Sequence, residues 1–282
     1  MVIAKLIGGF GNNLFQIANI IEVSKKLKVN FKTDGIPIRG TAGDFNGHNF
    51  EFENIFKPID GLIDKNVLYH NYYRHTDLGN HFEYKEVPLI DNTLYEGYFQ
   101  SEKYFSNIKD FFKFKNNLLL DVTNKYGIDR DKKYTSLHCR FGGDRDNTNT
   151  QHYHKNVSKE FYLKSLSHIP ENTVKFIISD NILLSKQIFD GEIDNVVYVD
   201  ETMEKSFVLM SLCNYNIIGN STFSWWSSYL NLNNETITIA PKSEWFGPGY
   251  KGMVLDDLFP KRWICLWLYN QFVTHIINVW KK

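Results

Sequence analysis

The sequence predicts an α/β protein built on parallel sheets with helices on both faces. Short apolar runs alternate with segments of helical spacing along most of the chain. Gly8-Gly9-Phe10-Gly11 stands between the first apolar run and the first helical one, where backbone must turn and come close to another group. Polar residues follow the apolar runs at Arg140, at Ser179 with Asp180, and at Asn220, Ser221 and Thr222. In parallel sheets, ligands bind beyond those carboxyl ends.

In chain order, residues 2–7 read as a buried strand and 14–27 as a helix, with Asn12 and Asn13 either capping it or reaching a ligand. The G-x-G-x-x-G spacing of a dinucleotide turn is absent. Residues 31–87 hold no sustained period, and His48, His70, His75 and His81 show no metal-ligand spacing. Such an irregular insertion is expected to shape an acceptor side. Residues 94–100 read as a strand, Ser101 opens a helix, and a further helical pattern covers 108–126. Polar residues 127–133 are the expected linker between domains. A second unit follows, with strands over 134–139, 174–178, 196–199, 216–218 and 236–240. Its helices fall over 158–168, 182–189, 203–213 and 223–230, and 145–156 reads as a polar loop.

Composition narrows the function. The chain has 282 residues, enough for one large or two medium domains. Its net charge is zero, which argues against a general nucleic-acid surface. Aromatic residues reach 16%, and their rings fill cores or stack on sugars. Cys139, Cys213 and Cys265 are spaced as reduced thiols rather than as metal ligands. With no apolar run long enough for a signal peptide or a membrane span, a cytoplasmic protein is expected. Over 263–282, Leu268, Phe272, Ile276 and Trp280 line one face of an amphipathic helix. That helix either packs back on the fold, docks a second subunit, or lies on a membrane periphery with Lys281 and Lys282 at the headgroups.

The polar clusters are the parts of a nucleotide-diphosphate site that needs no metal. An arginine holds phosphate oxygens in a fork. A carboxylate accepts from a ribose hydroxyl or a guanine edge. A helix N-terminus capped by Asn220, Ser221 or Thr222 offers backbone N–H groups to an anion.

Three segments resemble the α-1,2-fucosyltransferases of glycosyltransferase family 11. They are Gly8-Gly9-Phe10-Gly11-Asn12-Asn13-Leu14-Phe15-Gln16, Gly97-Tyr98-Phe99-Gln100-Ser101-Glu102-Lys103-Tyr104-Phe105 and Asn220-Ser221-Thr222-Phe223-Ser224-Trp225-Trp226. The resemblance implies a GT-B architecture, two Rossmann-like domains facing across a cleft. Residues 1–127 would form the acceptor side, 128–262 the GDP-sugar side, and 263–282 the terminal helix. It further implies metal-independent, inverting transfer of L-fucose from GDP-β-L-fucose to a glycan, at O2 of a galactoside.

By the same resemblance Arg140 would hold the β-phosphate, helped by the Ser221-Thr222-Phe223 turn. Gly9, Gly11 and Asn12 would meet the donor from the other domain, and Ser179 and Asp180 would contact the guanosine. His138 would shape the loop or touch the nucleotide. One motif departs from the family: His138-Cys139-Arg140-Phe141-Gly142-Gly143-Asp144 lacks the second arginine of H-x-R-R-G-D. Its spacing is similar to that of protein O-fucosyltransferases. Asp144 is then either a general base or a carboxylate fixing the loop. The alternatives to a galactoside transferase are a protein O-fucosyltransferase and a non-catalytic module that binds GDP-sugar or glycan.

Overall fold

Two parallel sheets form, one from each half of the chain. The structure, a computed structural model, describes residues 1–34, 52–59, 62, 64, 67–75, 82–142, 148–250 and 252–266. The first half supplies β1 (Val2–Ala4), α1 (Phe10–Leu27), β2 (Phe31–Thr33), α2 (Phe52–Ile55), β3 (Asn71–Arg74), β4 (Thr93–Glu96) and α3 (Asn116–Tyr126). Its strands run in the order β2-β1-β4-β3.

The second half opens with β5 (Tyr134–Cys139), α4 (Thr148–Tyr153), α5 (Lys159–Leu166), β6 (Val174–Ser179), α6 (Ile182–Phe189) and β7 (Val196–Val199). It continues with α7 (Met203–Leu212), β8 (Tyr215–Ile217), α8 (Thr222–Tyr229), β9 (Ile237–Ala240) and β10 (Ile264–Cys265). These strands run in the order β10-β9-β8-β5-β6-β7. Every residue of β5 is buried, as a central parallel strand covered on both faces requires. Between the sheets the chain turns at Gly127, which takes φ 56°. The Tyr134 hydroxyl braces that turn by donating to Gly127 O and accepting from Asp129 N, both at 3.0 Å.

A continuous aromatic seam joins the halves. The Phe15 ring lies 4.5 Å from Trp225 and 4.8 Å from Trp226 between centroids. Phe105 stacks on Trp226 at 5.2 Å. Farther along, Phe207 meets Phe10 at 5.6 Å and Phe56 at 5.9 Å. Both tryptophans and Phe15 are fully buried. Burial of such a ring is worth about 1.5–3 kcal/mol, so the seam is a major share of the contact between halves.

The structure departs from the expected elements in several places. The helical pattern over 108–126 breaks into a short 3-10 turn at Ile108–Asp110 and then α3, because Phe114 pairs with Phe56 in an isolated bridge. Within the expected loop over 145–156, residues Thr148–Tyr153 are helical. The expected helix over 263–282 begins instead with β10, whose Ile264 pairs with Ile239; the rest of that prediction, 267–282, lies outside the described residues. Cys139 and Cys213 are buried free thiols and Cys265 is half-buried. Burial pushes the Cys139 and Cys213 thiols far up, so both stay neutral. Among the described residues no helix is long and apolar enough to cross a membrane.

Candidate active site

Each sheet contains a point where its winding reverses. The chain leaves β1 for β2 on one side and later returns to β4 on the other. Likewise β5 leads to β6 and β7 before the chain returns to β8. Crevices open at the carboxyl ends of strands at such points. The residues after β1, β4, β5 and β8 are Gly8 to Asn12, Gly97 to Gln100, Arg140 to Gly142, and Gly219 to Thr222.

Asn12 joins these segments. Its Oδ1 accepts from Gln100 Nε2 at 2.8 Å and from Thr222 Oγ1 at 3.0 Å. The three motifs read from the sequence therefore meet at one carboxamide. The turn before it is clamped by amides. Asn13 Nδ2 and Gln16 Nε2 both donate to Ile7 O, at 3.1 and 3.0 Å, and Ile7 N donates to Gln16 Oε1 at 3.0 Å. Gly8 adopts φ +77°, and Gly11 lies so close to α8 that a Cβ there would fall 2.4 Å from the Thr222 carbonyl carbon. Gly9 is exposed and its carbonyl accepts from Asn12 N at 2.9 Å. On the β4 side, non-glycine Phe99 takes φ 51°, a conformation costing about 1–2 kcal/mol, and Gln100 follows directly.

In the second half, Ser221 caps α8, its Oγ accepting from Phe223 N at 3.3 Å. The Phe223 ring stands 5.7 Å from that of His138 and 5.2 Å from Phe207. His138 is buried, and its carbonyl accepts from the Tyr162 hydroxyl at 2.9 Å. Arg140 is half-buried directly past β5, across the winding reversal from the N-terminus of α8. Phe141, at the position of the family's second arginine, is 2% exposed and packs in a core with Tyr162. A second guanidinium is replaced there by an apolar wedge.

Two expected ligand contacts have structural duties. Asp180 Oδ1 accepts from Phe141 N at 2.8 Å and Gly142 N at 2.9 Å, holding the turn beside Arg140. Asn220 Nδ2 donates to Lys155 O at 2.7 Å and Trp245 O at 3.2 Å, tying two loops to the start of α8. The Asn220 side chain, expected at the donor, serves here as a buried strut, 6% exposed. One oxygen of the exposed Asp180 thus faces backbone. Ser179 Oγ accepts from Asn181 N at 3.0 Å. Asp144 lies outside the described residues. Sequence reasoning missed Gln100 as the partner of Asn12; its place in the Gly97-Tyr98-Phe99-Gln100 segment was the available signal.

At the carboxyl end of β4, Glu96 binds Lys5 at 2.6 Å, Arg74 at 3.3 Å and the Tyr72 hydroxyl. Burial pushes its carboxyl up, but the hydrogen bonds from Lys5 and Tyr72 outweigh that and hold it below the usual range.

The chain is similar to known proteins. The family model "Glycosyl transferase family 11" matches residues 49–266. An α-1,2-colitosyltransferase of Escherichia coli is 27% identical over 94% of this chain and 98% of its own. The solved NodZ α-1,6-fucosyltransferase soaked with GDP-fucose superposes with a TM-score of 0.52 at 14% identity, over 81% of this chain and 91% of that one. POFUT1 in complex with GDP superposes with a TM-score of 0.54 at 13% identity, over 85% and 96%. The fold is therefore that of the GT-B fucosyltransferases, and the chain belongs to glycosyltransferase family 11.

Proposed function

From that membership, we propose that the protein is an inverting fucosyltransferase moving L-fucose from GDP-β-L-fucose to O2 of a galactoside. The observation that carries this reading is the meeting of Asn12 and Thr222, at the end of a strand, β8, that neighbours the one leading to Arg140. An amide from one half meets a helix N-terminus of the other, and Arg140 follows the neighbouring strand β5, the parts that a sugar diphosphate would need. As the acceptor oxygen bonds to the anomeric carbon, the bond to the β-phosphate oxygen breaks and its electron pair leaves with GDP. Arg140 and the α8 N–H groups stabilise the charge that grows on that phosphate. Asp144 is assigned the acceptor proton. No resident metal is invoked, and turnover is expected to survive EDTA.

The colitosyltransferase relative favours a second donor, GDP-colitose, which differs from GDP-fucose by lacking one hydroxyl. A transfer assay on a glycan array, run in parallel with GDP-fucose, GDP-colitose and GDP-mannose, tests the reading. Fucose appearing on β-galactosides supports it. Transfer from GDP-colitose alone replaces the donor, transfer only to protein replaces the acceptor, and GDP binding without turnover points to a non-catalytic module.

A further inference from the structure

An aromatic wall stands beside the donor site, built from the loops after β5 and β9. Tyr153 and Tyr250 rings lie 5.1 Å apart, Phe246 and Tyr250 4.9 Å apart, and His154 is 5.6 Å from both Phe246 and Tyr250. Phe82 of the first half reaches Phe246 at 5.3 Å, so the wall touches both halves. Phe82 and Phe246 back the wall by packing on the edge of the core, while Tyr153 is 44% exposed and His154 and Tyr250 stay partly exposed.

The wall is rigidly placed. A Cβ on Gly247 would fall 2.5 Å from His152 O, and one on Gly249 2.5 Å from the Tyr153 ring, so both glycines let the second loop lie flat on α4. Gly247 N donates to Tyr153 O at 2.8 Å. Glu244 holds Ser158 N at 2.7 Å and Ser158 Oγ at 2.9 Å. Asn220 bonds both loops, at Lys155 O and Trp245 O, immediately before the Ser221-Thr222 turn. The loops that bear the wall and the start of α8 are therefore one unit.

We propose that Tyr153, His154, Phe246 and Tyr250 form the platform for the acceptor's pyranose ring. This rests on the glycosyltransfer reading above. Aromatic faces pack against the apolar C–H face of a sugar, while an imidazole and phenol hydroxyls at their edges meet its hydroxyls. Continuity with α8 through Asn220 puts that ring next to the donor. A protein partner would need a broader surface than one patch of rings.

Steady-state kinetics on the full chain test the platform. The acceptor probe is whichever of lactose, N-acetyllactosamine and galactosyl-β-1,3-N-acetylglucosamine the wild type turns over fastest. In Tyr250→Leu and Phe246→Leu the acceptor KM is expected to rise about tenfold or more, with GDP affinity by calorimetry within about twofold of wild type. Tyr250→Phe, which keeps the ring, is expected to keep most of the acceptor affinity. An unchanged acceptor KM in both leucine variants overturns the platform. So does an equal loss of GDP affinity, which would make the wall a prop for α8. A wild type that binds GDP yet transfers to none of the probes sinks the galactoside reading, and the platform with it.

Discussion

The two halves build their crevices from different materials. In the first, the turn after β1 is held by the amides of Asn13 and Gln16, and Asn12 bonds outward to Gln100 and Thr222. Its strands are three or four residues long. The second half has six-residue strands β5 and β6 and puts a guanidinium and a helix N-terminus at the crevice. Amides make directional, neutral bonds of about 0.5–1.5 kcal/mol each, which suits fixing a shape. Charge acts on a transition state only where it is preorganised. On the proposed reading the first half clasps and the second would stabilise charge.

The largest test of that contrast is Arg140→Ala. It is expected to lower kcat about a hundredfold, the scale of one preorganised donor, with little change in Tm. A variant with wild-type turnover breaks the assignment. Gly11→Ala probes the opposite half. Its Cβ would sit 2.4 Å from the Thr222 backbone, so a destabilisation of about 1–3 kcal/mol by denaturant titration is expected. Unaltered stability would mean that the halves are not in firm contact there.

Asp180→Ala releases two backbone N–H groups beside Arg140. A roughly tenfold fall in kcat is expected, largely recovered in Asp180→Asn, which retains an acceptor oxygen. Equal losses in both variants would point to a role for the charge itself. Gln100→Ala removes one bond to Asn12 and should cost about 1 kcal/mol of stability with a smaller kinetic effect. The smallest effect concerns pH. Glu96 titrates lower when folded than unfolded, so its stabilisation is complete above about pH 4.5 and is lost as pH falls through its folded value. Glu96→Gln should flatten that acid limb in a Tm-against-pH series.

Much of this was legible in the sequence because parallel strands and capped helices announce themselves locally. β5, β6 and α8 lie close to where periodicity puts them, and Ser221 caps as its residue type predicts. What was lost depends on distant partners. Phe114 leaves its helical pattern because Phe56 pairs with it from far along the chain. β3 is mostly exposed and so carries no apolar alternation to read. The backbone bonds of Asn220 and Asp180 could not be read, because a polar residue at a strand end has the same signature whether it faces substrate or backbone. Only the geometry separates the two uses.

The contact of Gly11 with the Thr222 backbone bears on how the sequence can drift. A side chain at position 11 collides with α8 whether or not a sugar nucleotide is ever bound. A descendant that had lost turnover would still be held to glycine there, and to residues that let Asn12 meet Thr222. Survival of those motifs in a lineage therefore reports that the two halves still dock. Arg140, half-buried just past β5, carries no such glycine-only requirement, and on the proposed reading its replacement would mark the loss of transfer.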